Sequence, residues 1–336
     1  MRTCVRLRPG NQTRFTSFAS SLPTTAFRTK SDHLKTQRAE KFAKELELDA
    51  KAYQGYDNLL ADECVDVVYI GALNCAHLEW ILKSLDADKH VLCEKPFVLN
   101  TQEMKQVMDK AAEKKKFIME AFWSRFFPVW RKIRETIESN ELGKLQVFGA
   151  NFGEKLVDNR FHLHKGESPG IDIGYYVVGL AMYAFDDQKP KSAKIVAEKN
   201  EDGVEPWGNI TLKFDEDRHA VLYYNGTMRA STAGFLAFDN GLIELPYFFW
   251  CPERFIKTTG ALPDAKQEEF NSPLKDKDGY NLNNCAGLHY EADHVFEQIN
   301  EGRTESPIMP LKNTMQILEV IDNLRDQIGV KYDQEK

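Results

Sequence analysis

The sequence predicts an α/β chain that continues as α+β: a doubly wound parallel sheet, incomplete at its N-terminus, then an open, mainly antiparallel sheet with helices. Three observations predict it. Between residues 37 and 122 short apolar runs alternate with amphipathic stretches, as in a parallel sheet wrapped by helices. Beyond Trp123 extended segments follow one another with hairpin signals between them. The 336 residues exceed one simple core, and the change of pattern divides them into 1–121 and 122–336.

A helix is expected through "TQRAEKFAKELEL", with Ala39, Phe42, Ala43 and Leu46 on one face. "CVDVVYIGA" is rich in Val, Ile and Tyr and ends at Gly71, as a buried strand would. In "HLEWILKSLDAD" the spacing of Leu78, Ile81, Leu82 and Leu85 is that of an amphipathic helix. "HVLC" is the next strand, stopping abruptly at Glu94-Lys95-Pro96. Asn100 with Glu103 three residues on marks a helix start, with Met104, Val107, Met108 and Ala111 as its buried stripe. "KFIMEAF" is a further strand, and all these strands are expected to run one way.

The second half opens with a helix through "VWRKIRETIESNELG", burying Trp130, Ile133 and Ile137 and ending near Gly143. Extended segments begin at "KLQVFGANFG", with turns at Asp215 to Arg218 and at Asp239-Asn240-Gly241. The polar stretch from Pro263 to Asn284 reads as a surface excursion, and two helices, "YEADHVFEQINEG" and "NTMQILEVIDNLRDQI", close the chain. The run Tyr247 to Trp250 is core, or the face of an open sheet buried in a homodimer.

A 42% hydrophobic, 28% charged composition is that of a water-soluble globular protein. No apolar run approaches the roughly 18 residues of a membrane span, so no membrane partner is expected. A net charge of -7 argues against nucleic acid, whose phosphates need a basic face. Six scattered cysteines without a CxxC pair suit a reducing, cytoplasmic setting; His162 and His164 lack a third ligand, so no metal is expected. Residues 1–31 carry five arginines and no acid. Two readings of them stand, a mitochondrial transit peptide and a variant first exon.

In open parallel sheets ligands bind beyond the carboxyl ends of the strands, where Lys95 is carried. "VLCEKP", "IMEAFWSRFFP", "GIDIGYY" and "YEADHVFEQINEGRTESPIMPL", in this order, resemble the Gfo/Idh/MocA oxidoreductase family over residues 37–332. Within it they are most similar to the dimeric dihydrodiol dehydrogenases, also described as NADP-dependent D-xylose dehydrogenases. The resemblance implies a Rossmann-like N-terminal domain, NADP as cofactor, a small diol or sugar as substrate, and a homodimer. It makes Lys95 and Tyr176 the catalytic pair, with Asp172 the acid four residues before Tyr176. It assigns Gly71, Asn74, His77, Glu94 and Lys95 to the cofactor, and Trp123, Arg125, Phe127, Phe152 and Trp250 to the substrate site. The chemistry is consistent: a tyrosine with an ordinary pKa of about 10 is a weak base at neutral pH unless a neighbouring cation stabilises its phenolate, and Lys95 is such a cation.

The opening departs from that family. No glycine lies between Gly10 and Gly55, so the Gly-rich turn that admits a pyrophosphate is missing. "MRTCVRLRPGNQ" does not read as a buried strand, and residues 1–36 are atypical throughout. Arg28, Lys30 and Arg38 are candidates for a 2'-phosphate. The alternative to an NADP-dependent dehydrogenase is therefore a non-catalytic binding or dimerising relative.

Overall fold

Residues 3–5, 39–41, 43–44, 51–215, 217–261, 263–275 and 282–335 are described by the computed structural model. Backbone at 39–41 and 43–44 is helical, within the first expected helix. Arg28, Lys30 and Arg38 lie outside the described residues.

The first sheet has the order β1 (Thr3–Val5), β2 (Val67–Ile70), β3 (His90–Glu94), β4 (Ile118–Ala121). Strands β2, β3 and β4 are parallel, and their side chains are buried almost without alternation, as expected of strands covered on both faces. Strand β1 adds an antiparallel edge to the three strands that run one way as expected. Three residues of the arginine-rich opening do form a strand, and it pairs antiparallel to β2, Thr3 opposite Tyr69. An edge strand can be short and needs only its backbone groups for the ladder, so its composition does not announce it.

Helix α1 (Tyr56–Leu60) precedes β2, and α2 (His77–Asp86) and α3 (Thr101–Lys114) follow β2 and β3 and pack against each other. The start of α3 is the predicted one. Asn100 Oδ1 accepts from the Glu103 backbone N–H at 2.9 Å, and the Glu103 carboxylate accepts from Leu99 N–H at 2.9 Å, so two otherwise unpaired donors are satisfied. Met104, Val107 and Ala111 are buried beneath it.

Helix α4 (Pro128–Glu138) leads into the eight-stranded second sheet, ordered β12-β11-β10-β9-β5-β8-β7-β6. Its strands are β5 (Leu145–Gly153), β6 (Ser192–Val196), β7 (Trp207–Lys213), β8 (His219–Asn225), β9 (Gly234–Phe238), β10 (Gly241–Leu245), β11 (Arg254–Thr259) and β12 (Lys266–Asn271). All neighbours are antiparallel except β5 and β8, and the predicted turn at Asp239-Asn240 joins β9 to β10. Strand β12 lies inside the stretch read as a surface excursion. Its "KQEEFN" is exposed at five of six positions, so an edge strand was hidden behind a polar composition. Residues 276–281 of that stretch lie outside the described residues.

One face of this sheet is covered by α5 (Tyr175–Ala184), all ten of whose residues are buried. Each large apolar side chain buried there contributes roughly 1.5–3 kcal/mol. Helices α6 (Leu288–Asn300) and α7 (Leu311–Ile328) follow, and α7 packs against α5 and β6 on one side and α3 and β4 on the other, tying the two sheets together. On the opposite sheet face Val221 and Phe235 are exposed. The Phe235 ring lies over Gly149, where a Cβ would stand only 2.0 Å from it, so that glycine is required by close approach.

Candidate active site

Gly71 follows β2, Lys95 follows β3 and Trp123 follows β4, so three neighbouring parallel strands deliver them to one edge of the sheet. Beyond β5 the chain returns as a π-helical turn, Gly170–Gly174, that runs directly into α5. This places Asp172 and Tyr176 opposite the end of β3. Lys95 Nζ donates to the Asp172 carboxylate at 2.8 Å and to the Asp172 carbonyl at 2.6 Å, and sits 4.6 Å from the centre of the Tyr176 ring. The Lys95 and Asp172 side chains are 10% and 13% exposed, shielded enough to interact strongly yet open enough for a ligand to touch.

Burial by itself would raise the Asp172 carboxyl, but Lys95 and Arg160 together outweigh it and hold the group below the usual carboxylate range. Arg160 reaches the other carboxylate oxygen with Nε at 3.6 Å and donates from Nη1 to buried Glu167 at 3.1 Å. Glu94 accepts a hydrogen bond from the Tyr69 hydroxyl; burial raises its pKa, with Tyr69 and Lys95 opposing.

The Tyr176 hydroxyl accepts from the Trp123 indole N–H at 2.8 Å. Burial pushes this phenol well above its ordinary value, the Glu94 charge adds to that, and the Trp123 hydrogen bond opposes. The expected Lys95–Tyr176 pairing is thus qualified: the ammonium lies over the ring, and its hydrogen bonds go to Asp172. The remaining wall is aromatic. Phe152 and Trp250 stack at 3.8 Å between centres, and Phe152 lies 5.8 Å from Tyr176.

Two residues expected at the substrate site are held by other side chains. Arg125 is fully buried and forms a two-armed ion pair with Asp187 at 3.0 and 2.7 Å, so its charge is neutralised by that carboxylate. The Phe127 ring is enclosed by Trp123, Tyr290 and Gly287, where a Cβ would come within 2.2 Å of it. Asn74 donates to the Gly166 carbonyl at 2.9 Å and so fastens the loop before Asp172. Gly166 has φ +69°, and a Cβ there would stand 2.4 Å from Leu99, so loop and strand end meet without a side chain between them. His77 is buried with its ring nitrogens 2.8 Å from the Pro96 carbonyl and 3.2 Å from the Ala72 carbonyl. Burial lowers it to about 4, so the ring is neutral and its single N–H can donate to just one of these two carbonyls. Sequence reasoning missed Tyr69, Arg160 and Glu167; their partners are remote or in an irregular loop, and no periodic spacing marks them.

Residues 32–122 match the family model described as "Oxidoreductase family, NAD-binding Rossmann fold", and residues 130–242 match "GFO/IDH/MocA C-terminal domain". The chain is 32% identical over 301 residues to trans-1,2-dihydrobenzene-1,2-diol dehydrogenase of Homo sapiens, covering 89% of this chain and 88% of that one. The chain belongs to the Gfo/Idh/MocA family. The mouse (Mus musculus) enzyme of the same name is 31% identical over 325 residues, 96% of this chain and 95% of its own. Among solved Gfo/Idh/MocA-like structures, a 3-ketoreductase from Actinomadura kijaniata in complex with NADP and TDP-benzene superposes with a TM-score of 0.73 at 20% identity, over 87% of this chain and 86% of that one. Aldose-aldose oxidoreductase from Caulobacter crescentus gives 0.73 at 18% identity, over 87% of each. These neighbours share the fold; the family makes the chain an oxidoreductase with an NAD(P)-binding Rossmann domain.

Proposed function

We propose that this chain oxidises a trans-dihydrodiol or the C1 hydroxyl of D-xylose with NADP, Tyr176 serving as acid/base, Lys95 as the cation beside it and Asp172 as the anchor of Lys95. One observation carries the reading: at the carboxyl ends of the parallel strands Lys95 Nζ lies 2.8 Å from Asp172 and 4.6 Å from the Tyr176 ring. The nicotinamide supplies the hydride acceptor when bound. The described residues fit its nicotinamide end. Gly71 leaves space in which a Cβ would meet only the Tyr69 ring, at 3.4 Å, and Glu94 and Lys95 stand at the neighbouring strand end.

Tyr176 already accepts a hydrogen bond from Trp123, so its own proton is free to point at a substrate oxygen. Because burial keeps the phenol protonated at neutral pH, carbonyl reduction finds its proton donor ready, whereas alcohol oxidation requires that proton to leave first. Oxidation is therefore expected to rise with pH. Trp123, Phe152 and Trp250 offer aromatic surface to a diol ring or the apolar face of a sugar. The remaining assignments belong to the same proposal: a division at residues 121/122, a cytoplasmic location, and a homodimer through the sheet face that exposes Val221 and Phe235.

The test is NADP-linked oxidation of a trans-dihydrodiol and of D-xylose. Lys95→Met and Tyr176→Phe are expected to abolish turnover with the fold intact; undiminished turnover in either refutes its role. A second reading, a binding module that has lost catalysis, is favoured by the absence of glycine between Gly10 and Gly55. It predicts sugar or diol binding that does not depend on nucleotide, and no turnover at any NADP concentration.

A further inference from the structure

Four charges of alternating sign run through the candidate site: Glu167, Arg160, Asp172 and Lys95, linked at 3.1, 3.6 and 2.8 Å. The two outer links belong to different arms of the molecule. Lys95 arrives on the end of β3, while Arg160 and Glu167 arrive on the loop between β5 and the turn that holds Asp172. We propose that Arg160 is a positioning residue for the reaction proposed above: by holding the outer oxygen of Asp172 it keeps that carboxylate aimed, so that the inner oxygen fixes Lys95 against Tyr176.

The guanidinium is suited to this because it serves two acids at once, Nε toward Asp172 and Nη1 toward Glu167. Glu167 is buried, and its own carboxyl is raised by burial against the pull of Arg160, so it acts as a stop that orients the arginine. Arg160 itself is 35% exposed and stands at the rim of the site. Without it the mostly buried Asp172 would keep a single cationic partner, and its protonation would begin at a higher pH. A neutral Asp172 is a weaker acceptor for the Lys95 ammonium, which would then be free to leave the Tyr176 ring.

Other groups face the same turn. Glu205 accepts from the Gly170 N–H at 3.1 Å and from the Ser168 hydroxyl at 2.6 Å, Tyr224 of β8 lies beside Gly174, and Glu94 adds negative charge near Lys95 and Arg160. None of these supplies a second cation to Asp172. The described ion pairs of Asp172 are those with Lys95 and Arg160.

The experiment is the pH dependence of thermal unfolding of the full chain without ligands, for wild type, Arg160→Gln, Arg160→Lys and the same changes in an Asp172→Asn background. Because the folded pKa of Asp172 is depressed and the onset of acid loss is set by its unfolded value, Arg160→Gln is expected to be less stable than wild type above about pH 4 and to lose less on acidification, the two curves converging at low pH. Arg160→Lys is expected to show a smaller deficit with the same pH dependence; what pH dependence either change keeps in the Asp172→Asn background belongs to Glu167, and the difference between backgrounds is the share of Asp172. A merely structural arginine would lower the melting temperature at every pH by a similar amount, with or without Asp172. That result overturns the proposal. If Arg160→Gln does not fold, an Arg160→Lys deficit that is the same at every pH overturns it equally. Because this readout needs neither cofactor nor turnover, it separates a failure of Arg160's role from a failure of the dehydrogenase reading. In an active protein the acid limb of kcat/KM should move to higher pH in Arg160→Gln.

Discussion

Helix α5 is flanked by two cation–carboxylate pairs built to one plan. Before it, Lys95 pairs with Asp172 and lies 4.6 Å from the Tyr176 ring; after it, Arg125 pairs with Asp187 and lies 4.6 Å from the Tyr183 ring. The difference between them separates structure from chemistry. Arg125 is wholly buried, uses both arms of its guanidinium on Asp187, and shares that carboxylate with Asn313 at 2.7 Å. Nothing about it is open to a ligand. Lys95 is a single ammonium with partial exposure at the ends of parallel strands, beside a tyrosine hydroxyl that still holds a proton to give. A buried cation held on both arms of its guanidinium staples the fold, and a cation left partly open at a crevice can take part in a reaction.

The comparison is broken most severely by removing the staple. Arg125→Met is expected to cost about 3–5 kcal/mol of unfolding free energy in urea titrations, because Asp187 is left without its ionic partner. Lys95→Met should cost less than about half of that, since Asp172 keeps Arg160. Equal losses would remove the distinction between the two pairs. Asp172→Asn sharpens it. With the folded pKa of Asp172 depressed, its contribution to stability is present above the unfolded value near 3.8 and lost as pH falls through the lower folded value. The wild type should therefore lose stability on acidification below about pH 4 more steeply than the Asn variant. A smaller effect is expected from Trp123→Phe, which removes the N–H bonded to Tyr176. About 1 kcal/mol, or roughly five- to tenfold in kcat/KM for oxidation, should be lost, and the alkaline rise should move to higher pH. The smallest is Asn100→Ala at the start of α3, about 1 kcal/mol of stability with turnover unchanged.

Much of the fold was legible because it rests on local periodicity. The strand ends at Gly71 and Lys95, the capped start of α3 and the β9–β10 turn all follow from residues within a few positions of one another. Strand β12 was not legible, because an exposed edge needs no apolar alternation. Nor was β1, whose pairing is made by backbone groups. At the site, Lys95 and Asp172 are 77 residues apart, and their meeting was anticipated through family resemblance, never through spacing. Arg125, expected at the substrate site through the same resemblance, pairs with Asp187 62 residues away, a contact that no local spacing announces. Arg160 had no signal in the sequence at all, since a lone arginine in an irregular loop takes its meaning from the two acids folded around it.

The central claim is that the open pair does chemistry, and the most direct test is the rate of reduced-nicotinamide formation from NADP and a trans-dihydrodiol, wild type beside Tyr176→Phe. The account predicts turnover in the wild type that rises with pH, and none in a Phe variant that remains folded. Equal rates in the two proteins would contradict it.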